Sequence, residues 1–367
     1  MIRVLFIMGN MGLGGAETQI MKIYRAIDRD RIQFDFCVNV LEKNYYEDEI
    51  LELGGYVFRT PPKTKSPIKY LKYLYSLIYE KYTVVVKCTE HAAAWNEMLV
   101  AKIAKAKIRA VRSTNTHVSE KKADIVLHYL SRPILNRVVN IRLAPSKEAA
   151  MWLFGKRYEK NTVILNNGIP IDSYRFCYKV RDVYRQKLGL GNSIVIGTVG
   201  RMSKQKNQSF LLDVFAKVYQ VNKNAKLVIV GEGELRRELE TKIEQQFLSD
   251  AVMLLGKRND VPSLLMAMDI FCLPSLYEGM PNCVIEAEAT GLPCIVSDTI
   301  TKDANLTGHV NYVPLELDSW CEAIKLISEV KYDRNECAGI VSKSGYDIQE
   351  IAKRILAYLE ESVNKCN

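Results

Sequence analysis

Along the chain, short apolar runs alternate with longer stretches in which apolar residues recur every three to four positions. In the first half the runs are RVLFIMG, QFDFCVNV, YTVVVKC, IRAVRS and NIRLAPS. In the second they are SIVIGTVG, AKLVIVG, AVMLLG, DIFCLPS and LPCIVSD. They are rich in Val, Ile and Phe and lack strict polar alternation, as strands covered on both faces should be. Amphipathic stretches such as AETQIMKIYRAI and NEMLVAKIAKAK separate them. Repeated strand–helix units predict parallel, doubly wound sheets of the α/β class.

The rhythm breaks once, at VILNNGIPIDSYRFCYKVRDVYRQKLGL, which carries Gly168 and Pro170, and restarts at SIVIGTVG. A chain of 367 residues is also long for one core. Two Rossmann-like domains are therefore predicted, residues 1–172 and 173–346, with the seam near Asp172. A last helix, from about Asp347 to Ser362, follows the second series, and residues 347–367 could cross back to complete the first domain. In such sheets ligands bind beyond the carboxyl ends of the strands, so the loops after the strands are where chemistry is expected.

Composition, with 48% apolar and 25% charged residues, is that of a soluble globular protein. No run of about eighteen uncharged apolar residues predicts a spanning helix, and MIRVLFIMGNMG reads as a first strand rather than a signal peptide. The nine cysteines are scattered without a C-x-x-C pair, which predicts reduced thiols in a cytosolic protein. The net charge of +9 is uneven. Residues 1–175 hold 28 Lys/Arg against 17 Asp/Glu, net +11, which leaves 23 against 25, net −2, for the remainder. A basic first half suits a phosphorylated substrate or an anionic lipid surface, and a merely solubilising surface accounts for it equally well. No helix-turn-helix, zinc-finger or RNA-binding motif is present, so nucleic acid is not an expected partner.

Three post-strand loops carry candidate chemistry. In FIMGNMGLGGAETQIMKI, Gly14 and Gly15 precede a helix, where backbone N–H groups can approach an anion; a flexible turn is the alternative. In IGTVGRMSKQKNQSFLLDVF, Arg201 and Lys206 follow a strand and could grip a diphosphate, or be ordinary exposed cations. In LPSLYEGMPNCVIEAEATGLPCIVSD, Glu278 lies in a loop shaped by Gly279, Met280 and Pro281. Asn282 is the expected N-cap of a helix that carries Glu286 and stops at Gly291. Two carboxylates with backbone amides between them suit a polyol. A metal pair is the competing reading, though no third ligand stands at suitable spacing; a Glu that only favours its helix N-terminus is the bland one.

EGMPNCVIE resembles the E-x7-E motif of the retaining glycosyltransferases with the two-domain GT-B fold, specifically the family-4 group. GLGGAE, NNGIPIDSYRF, GRMSKQKN and GLPCIVSDTIT resemble further segments of that family in the same order, nearest to bacterial enzymes of capsule and exopolysaccharide assembly. The resemblance implies two Rossmann-like domains facing a central cleft. It implies that Arg201 and Lys206 hold the donor diphosphate, that Glu286 accepts from the ribose, and that Glu278, with Gly279, Met280, Pro281 and Asn282 beside it, holds the transferred sugar. Gly14 and Gly15 would approach the donor phosphates, and Lys257 and Arg258 would lie near the base. No metal or other cofactor is implied, the nucleotide sugar being a co-substrate. Where close relatives carry a His-Ser-His-Asn-like segment, this chain reads VRSTNTHV, so Arg112, Asn115, the shifted His117 and the upstream His91 are the acceptor-side candidates.

The expected activity is transfer of a hexose or N-acetylhexosamine from a UDP-sugar to a lipid-linked saccharide. A nucleotide-sugar 2-epimerase and a non-catalytic nucleotide-sugar-binding partner are the alternatives. Segments 63–81 and 121–143, which mix Lys/Arg with Tyr, Leu and Ile, would bring a cytoplasmic enzyme to an anionic inner membrane face; two core-packed helices with charged outer faces explain them equally.

Overall fold

The computed structural model describes residues 1–114, 122–330 and 332–366. The chain forms two compact units, Met1–Ile169 with Asp347–Asn367, and Pro170–Tyr346.

In the first unit, β1 (Ile2–Ile7), β2 (Ile32–Val38), β3 (Val57–Arg59), β4 (Val84–Thr89), β5 (Ile108–Ser113), β6 (Ile141–Ala144) and β7 (Val163–Ile164) make one sheet in the order β3-β2-β1-β4-β5-β6-β7. In the second, β8 (Ile194–Val199), β9 (Ala225–Val230), β10 (Val252–Leu254), β11 (Ile270–Leu273), β12 (Cys294–Ser297) and β13 (Val310–Val313) are ordered β10-β9-β8-β11-β12-β13. Neighbouring strands pair in parallel, with Val4 opposite Phe34 and Val84 in the first sheet and Ile196 opposite Leu227 and Ile270 in the second.

Burial on both faces explains why the runs are apolar without alternation. Along β1, Val4 and Phe6 join one core with Ile20 and Ile23 of the helix Gly15–Ala26. Leu5 and Ile7 join another with Leu74 and Met98. The C-terminal helix, Ile348–Cys366, sends Ile348, Ala352, Leu356 and Leu359 into the first of these cores, so the last helix belongs with the first sheet. The spacing of those four residues is the stripe a helix needs to bury one face. In the second unit Ile196, Leu227 and Ile270 pack with Leu211, Phe215 and Trp320.

All ten apolar runs contain a strand. The pattern missed β3, β7 and β13, which have three, two and four residues and each end a sheet. Strands that short, with one neighbour, carry little periodicity, and of the short edge strands β10 alone lies in a continuous apolar run, AVMLLG.

In both sheets the first strand of the series is central. The strand order reverses between β1 and β4 in one and between β8 and β11 in the other. At such a point the loops leaving the two adjacent strands run to opposite faces and leave a crevice at their carboxyl ends.

Candidate active site

The crevice of the second unit lies beyond β8 and β11. β8 ends at Val199; Gly200 and Arg201 follow, then a short turn of helix over Lys204–Lys206 and the helix Gln208–Val221. Asn207 joins them in the left-handed region, at φ 54°, a conformation Asn tolerates better than most residues. β11 ends at Leu273 and leads through Glu278 to the helix Asn282–Ala289. The two loops are laced together: the Leu276 N–H donates to the Gln205 carbonyl at 2.8 Å, and Gln205 Nε2 donates to the Tyr277 carbonyl at 2.9 Å.

Across this seam Lys206 Nζ stands 2.6 Å from Glu278 Oε1, with both side chains largely buried. Burial works against the Lys206 charge, but the Glu278 carboxylate beside it helps to raise the ammonium's pKa. Burial pushes the Cys283 thiol itself up to about 11, so it remains protonated at neutral pH. Glu286 is engaged by Tyr174, a buried residue of the short helix Ile171–Tyr174. Burial, reinforced by the adjacent Glu286 carboxylate, lifts the Tyr174 hydroxyl well above its ordinary pKa and keeps it a hydrogen-bond donor. Tyr174 was not singled out from the sequence, although it sits in the quoted IDSYRF segment.

Arg201 is exposed, and its guanidinium reaches Glu234 at 3.2 Å. An exposed pair of this kind holds its partners weakly and leaves the arginine free to reorient. The loop after β9 packs directly on this segment. Gly231, at φ 138°, lies so close that a Cβ there would be 2.0 Å from the Gly200 carbonyl oxygen, so only glycine fits. The VGEGEL segment held this signal after a strand, and it also supplies Glu234. Lys257 is exposed. Arg258 is folded back on Asp260 through bonds of 2.8 and 2.5 Å, which hold that carboxyl below its usual range, and Tyr184 adds a third bond to Asp260 at 2.9 Å.

One local expectation is corrected. Asn282 does not cap the helix that carries Glu286; Pro281 occupies the N-cap, no side chain caps the end, and Asn282 is the first helical residue. Pro281 is buried, and its fixed φ sets the chain's entry into the helix before Asn282 can occupy the cap. Gly291 follows the helix at φ 69°, as a stop residue should.

In the first unit, Gly14 is the N-cap of the helix that Gly15 begins. His91 follows β4, but both ring nitrogens are spent on backbone: Nδ1 accepts from the Ala93 N–H at 2.9 Å, and Nε2 lies 3.0 Å from the Asp124 carbonyl. Beside it His128, which the sequence reading passed over, is fully buried and stacked on Trp152. Burial lowers its pKa. Arg112 lies on β5, buried, and donates to Asn167 at 2.8 Å. Asn115 and His117 lie outside the described residues.

The second unit thus gathers Lys206, Glu278, Glu286 and Tyr174 at one switch point, with Arg201 at its edge. Cationic and carboxylate groups set side by side there can bind a ligand that is anionic at one end and rich in hydroxyls at the other.

Known proteins agree with this architecture. The family profile described as "Glycosyl transferases group 1" matches residues 180–307, which include Arg201, Lys206, Glu278 and Glu286. EpsF of Bacillus subtilis (strain 168), named as a glycosyltransferase, is 32% identical over 99% of this chain and 97% of its own. An Escherichia coli enzyme named UDP-Gal:alpha-D-GlcNAc-diphosphoundecaprenol alpha-1,3-galactosyltransferase is 32% identical over 55% of each chain. Among solved structures, Anabaena HepE in complex with UDP superposes with a TM-score of 0.77 at 21% identity, covering 98% of this chain and all of that one, which is likeness of fold. EpsF and the E. coli enzyme are named as transferases, and neither favours the epimerase alternative. A relative alike over nearly the whole of both chains, together with the matching profile, establishes that this chain belongs to the group 1 glycosyltransferases.

Proposed function

We propose that this glycosyltransferase moves a hexose or N-acetylhexosamine, with retention of configuration, from a UDP-sugar to a lipid-linked saccharide during assembly of a cell-surface polysaccharide. The observation that carries the reading is the Lys206–Glu278 ion pair at the β8/β11 switch point, with Glu286 braced by Tyr174 on the helix that follows. An incoming diphosphate would draw Lys206 from Glu278 and recruit the exposed Arg201. Glu278, released, would accept from hydroxyls of the transferred sugar, and Glu286 from those of the ribose. Charge on the departing diphosphate would be neutralised by Lys206, Arg201 and the N-terminus of the helix Gln208–Val221, without a metal ion. The name of the E. coli relative, a galactosyltransferase with a diphosphoundecaprenol-linked acceptor, and the UDP complex of HepE support this choice of donor and acceptor class.

The test is calorimetric titration of UDP into the parent and Lys206→Ala, with hydrolysis of a panel of nucleotide sugars followed in excess EDTA. Losing one charge-assisted partner should cost about 1.5–3 kcal/mol, roughly ten- to a hundredfold in affinity. Unchanged UDP affinity in Lys206→Ala would place the nucleotide elsewhere. Activity lost to EDTA and restored by Mg²⁺ would overturn the metal-free assignment.

The same reading places the enzyme peripherally at the inner face of the cytoplasmic membrane. The helix Pro67–Ile78 buries Tyr70, Leu74, Leu77 and Ile78 but exposes Ile68, Tyr73 and Tyr75. The helix Lys122–Val138 exposes Val126, Leu127, Tyr129, Leu130 and Ile134. Apolar groups beside lysines and arginines suit an anionic interface. Salt-sensitive sedimentation with anionic vesicles is expected, and no preference for anionic over neutral vesicles would remove the idea.

A further inference from the structure

The first unit holds a cavity of about 320 Å³ between its sheet and the C-terminal helix. Its walls are almost wholly apolar, formed by residues such as Phe6, Val86, Leu143, Leu165, Ile355 and Tyr358. Charge enters in two ways. Arg354 and Glu361 stand on the helix at the margin, and Arg112 forms part of the lining from β5. Arg112 is 4% exposed. Its Nη2 donates to Asn167 Oδ1 at 2.8 Å, while its Nε is buried with no partner, and no carboxylate among the described residues pairs with it.

A guanidinium held inside a protein without a counter-ion is costly, and an orphaned N–H adds to that cost. A cavity with apolar walls and one convergent polar group has the make-up of a ligand site. Its volume is roughly ten times a water molecule's share of the liquid. A sugar or nucleotide there would strand its hydroxyls against hydrocarbon. A ligand that is hydrocarbon along its length and anionic at one end would satisfy both features. We propose that this cavity binds a single-chain amphiphile with an anionic head, the carboxylate or phosphate meeting Arg112 and the chain lying along Phe6, Leu143, Ile355 and Tyr358. The site lies wholly within the first unit and stands or falls independently of the donor assignment.

Calorimetry on the full chain with decanoate, decyl phosphate, decanol and inorganic phosphate, all below micelle-forming concentrations, tests this. Decanoate or decyl phosphate should bind at least tenfold more tightly than decanol, and inorganic phosphate should bind far more weakly than decyl phosphate. Arg112→Met should abolish the preference for the charged head while keeping decanol binding. Because removing a buried arginine can disturb folding, Ala357→Trp provides a second variant. Ala357 is an exposed position on the C-terminal helix that also lines the cavity, so the indole should obstruct it and weaken decanoate at least tenfold without lowering the melting temperature. Equal affinity for decanoate and decanol in the parent, or unchanged decanoate binding in a folded Ala357→Trp, would overturn the proposal. Inorganic phosphate binding as tightly as decyl phosphate would overturn it too.

Discussion

The crevice beyond β1 and β4 and the crevice beyond β8 and β11 are built on the same plan: a central first strand, a reversal of strand order, and a helix after each strand. Their chemistry differs sharply. In the second unit the segments after the strands carry Lys206 and Glu278 in contact and, on the following helix, Glu286 against Tyr174. In the first the corresponding loops carry the Gly14–Gly15 turn and a histidine whose ring nitrogens both serve backbone groups. The sheet supplies the position; the residues that follow each strand decide whether it holds paired charge or only a folded loop.

The sharpest way to break this contrast is Glu278→Gln. If Glu278 meets the sugar where charge develops, kcat should fall on the order of a hundredfold while free UDP affinity does not fall. A parental rate of donor turnover would show that the Lys206–Glu278 pair is structural.

The next largest effect is on stability. The helix that presents Glu286 is tied from behind by Glu288, which accepts from the Leu306 and Thr307 N–H groups and the Thr307 hydroxyl at 2.7–2.9 Å. Burial raises its pKa from 4.5 to about 6, against those hydrogen bonds. A raised carboxyl pKa means that the folded state holds the proton more tightly. This group's contribution to stability is therefore greatest below pH 4.5 and is lost as pH rises to about 6. Relative to Glu288→Gln, which does not titrate, the parent should lose about 2 kcal/mol across that window. Urea denaturation of both proteins at pH 4.5 and pH 7 measures it, and a constant gap would mean that Glu288 titrates normally.

Tyr174→Phe removes one hydroxyl from Glu286 and should weaken UDP by about 1 kcal/mol, roughly fivefold, with kcat nearly kept. An undiminished affinity would separate Glu286 from the nucleotide. The smallest effect belongs to the first unit. His91→Asn keeps a capping acceptor, so it should shift stability by only a few tenths of a kcal/mol and leave the pH–rate profile in place. If the profile loses an ionisation, the first crevice is chemically active after all, and the contrast with the second narrows.

The sequence made much of this legible. The ten longer runs became strands because burial on both faces demands continuous apolar residues, and the post-strand loops carried Arg201, Lys206, Glu278 and Glu286 in recognisable segments. The short edge strands β3, β7 and β13 were not legible, since a single neighbour asks little of so few residues; β10, as short and also at an edge, showed only because its run AVMLLG is continuously apolar. Asn282 misled because an isolated Asn before a helix reads as a cap, whereas the buried Pro281 already fixes the chain's entry there.

What the sequence determined alone was therefore local or periodic: strand and helix order, the break between two series, and which polar residues follow which strand. What only the tertiary structure decided was partnership. Lys206 meets Glu278 because β8 and β11, separated by two other strands in the chain, are neighbours in the sheet. Tyr174 reaches Glu286 from a helix more than a hundred positions earlier. Arg112 has no counter-ion among the described residues, an outcome of which side chains the fold packs around β5. Periodicity records which face of an element is buried, but a contact between distant residues depends on how the sheet is ordered, and no local pattern encodes that.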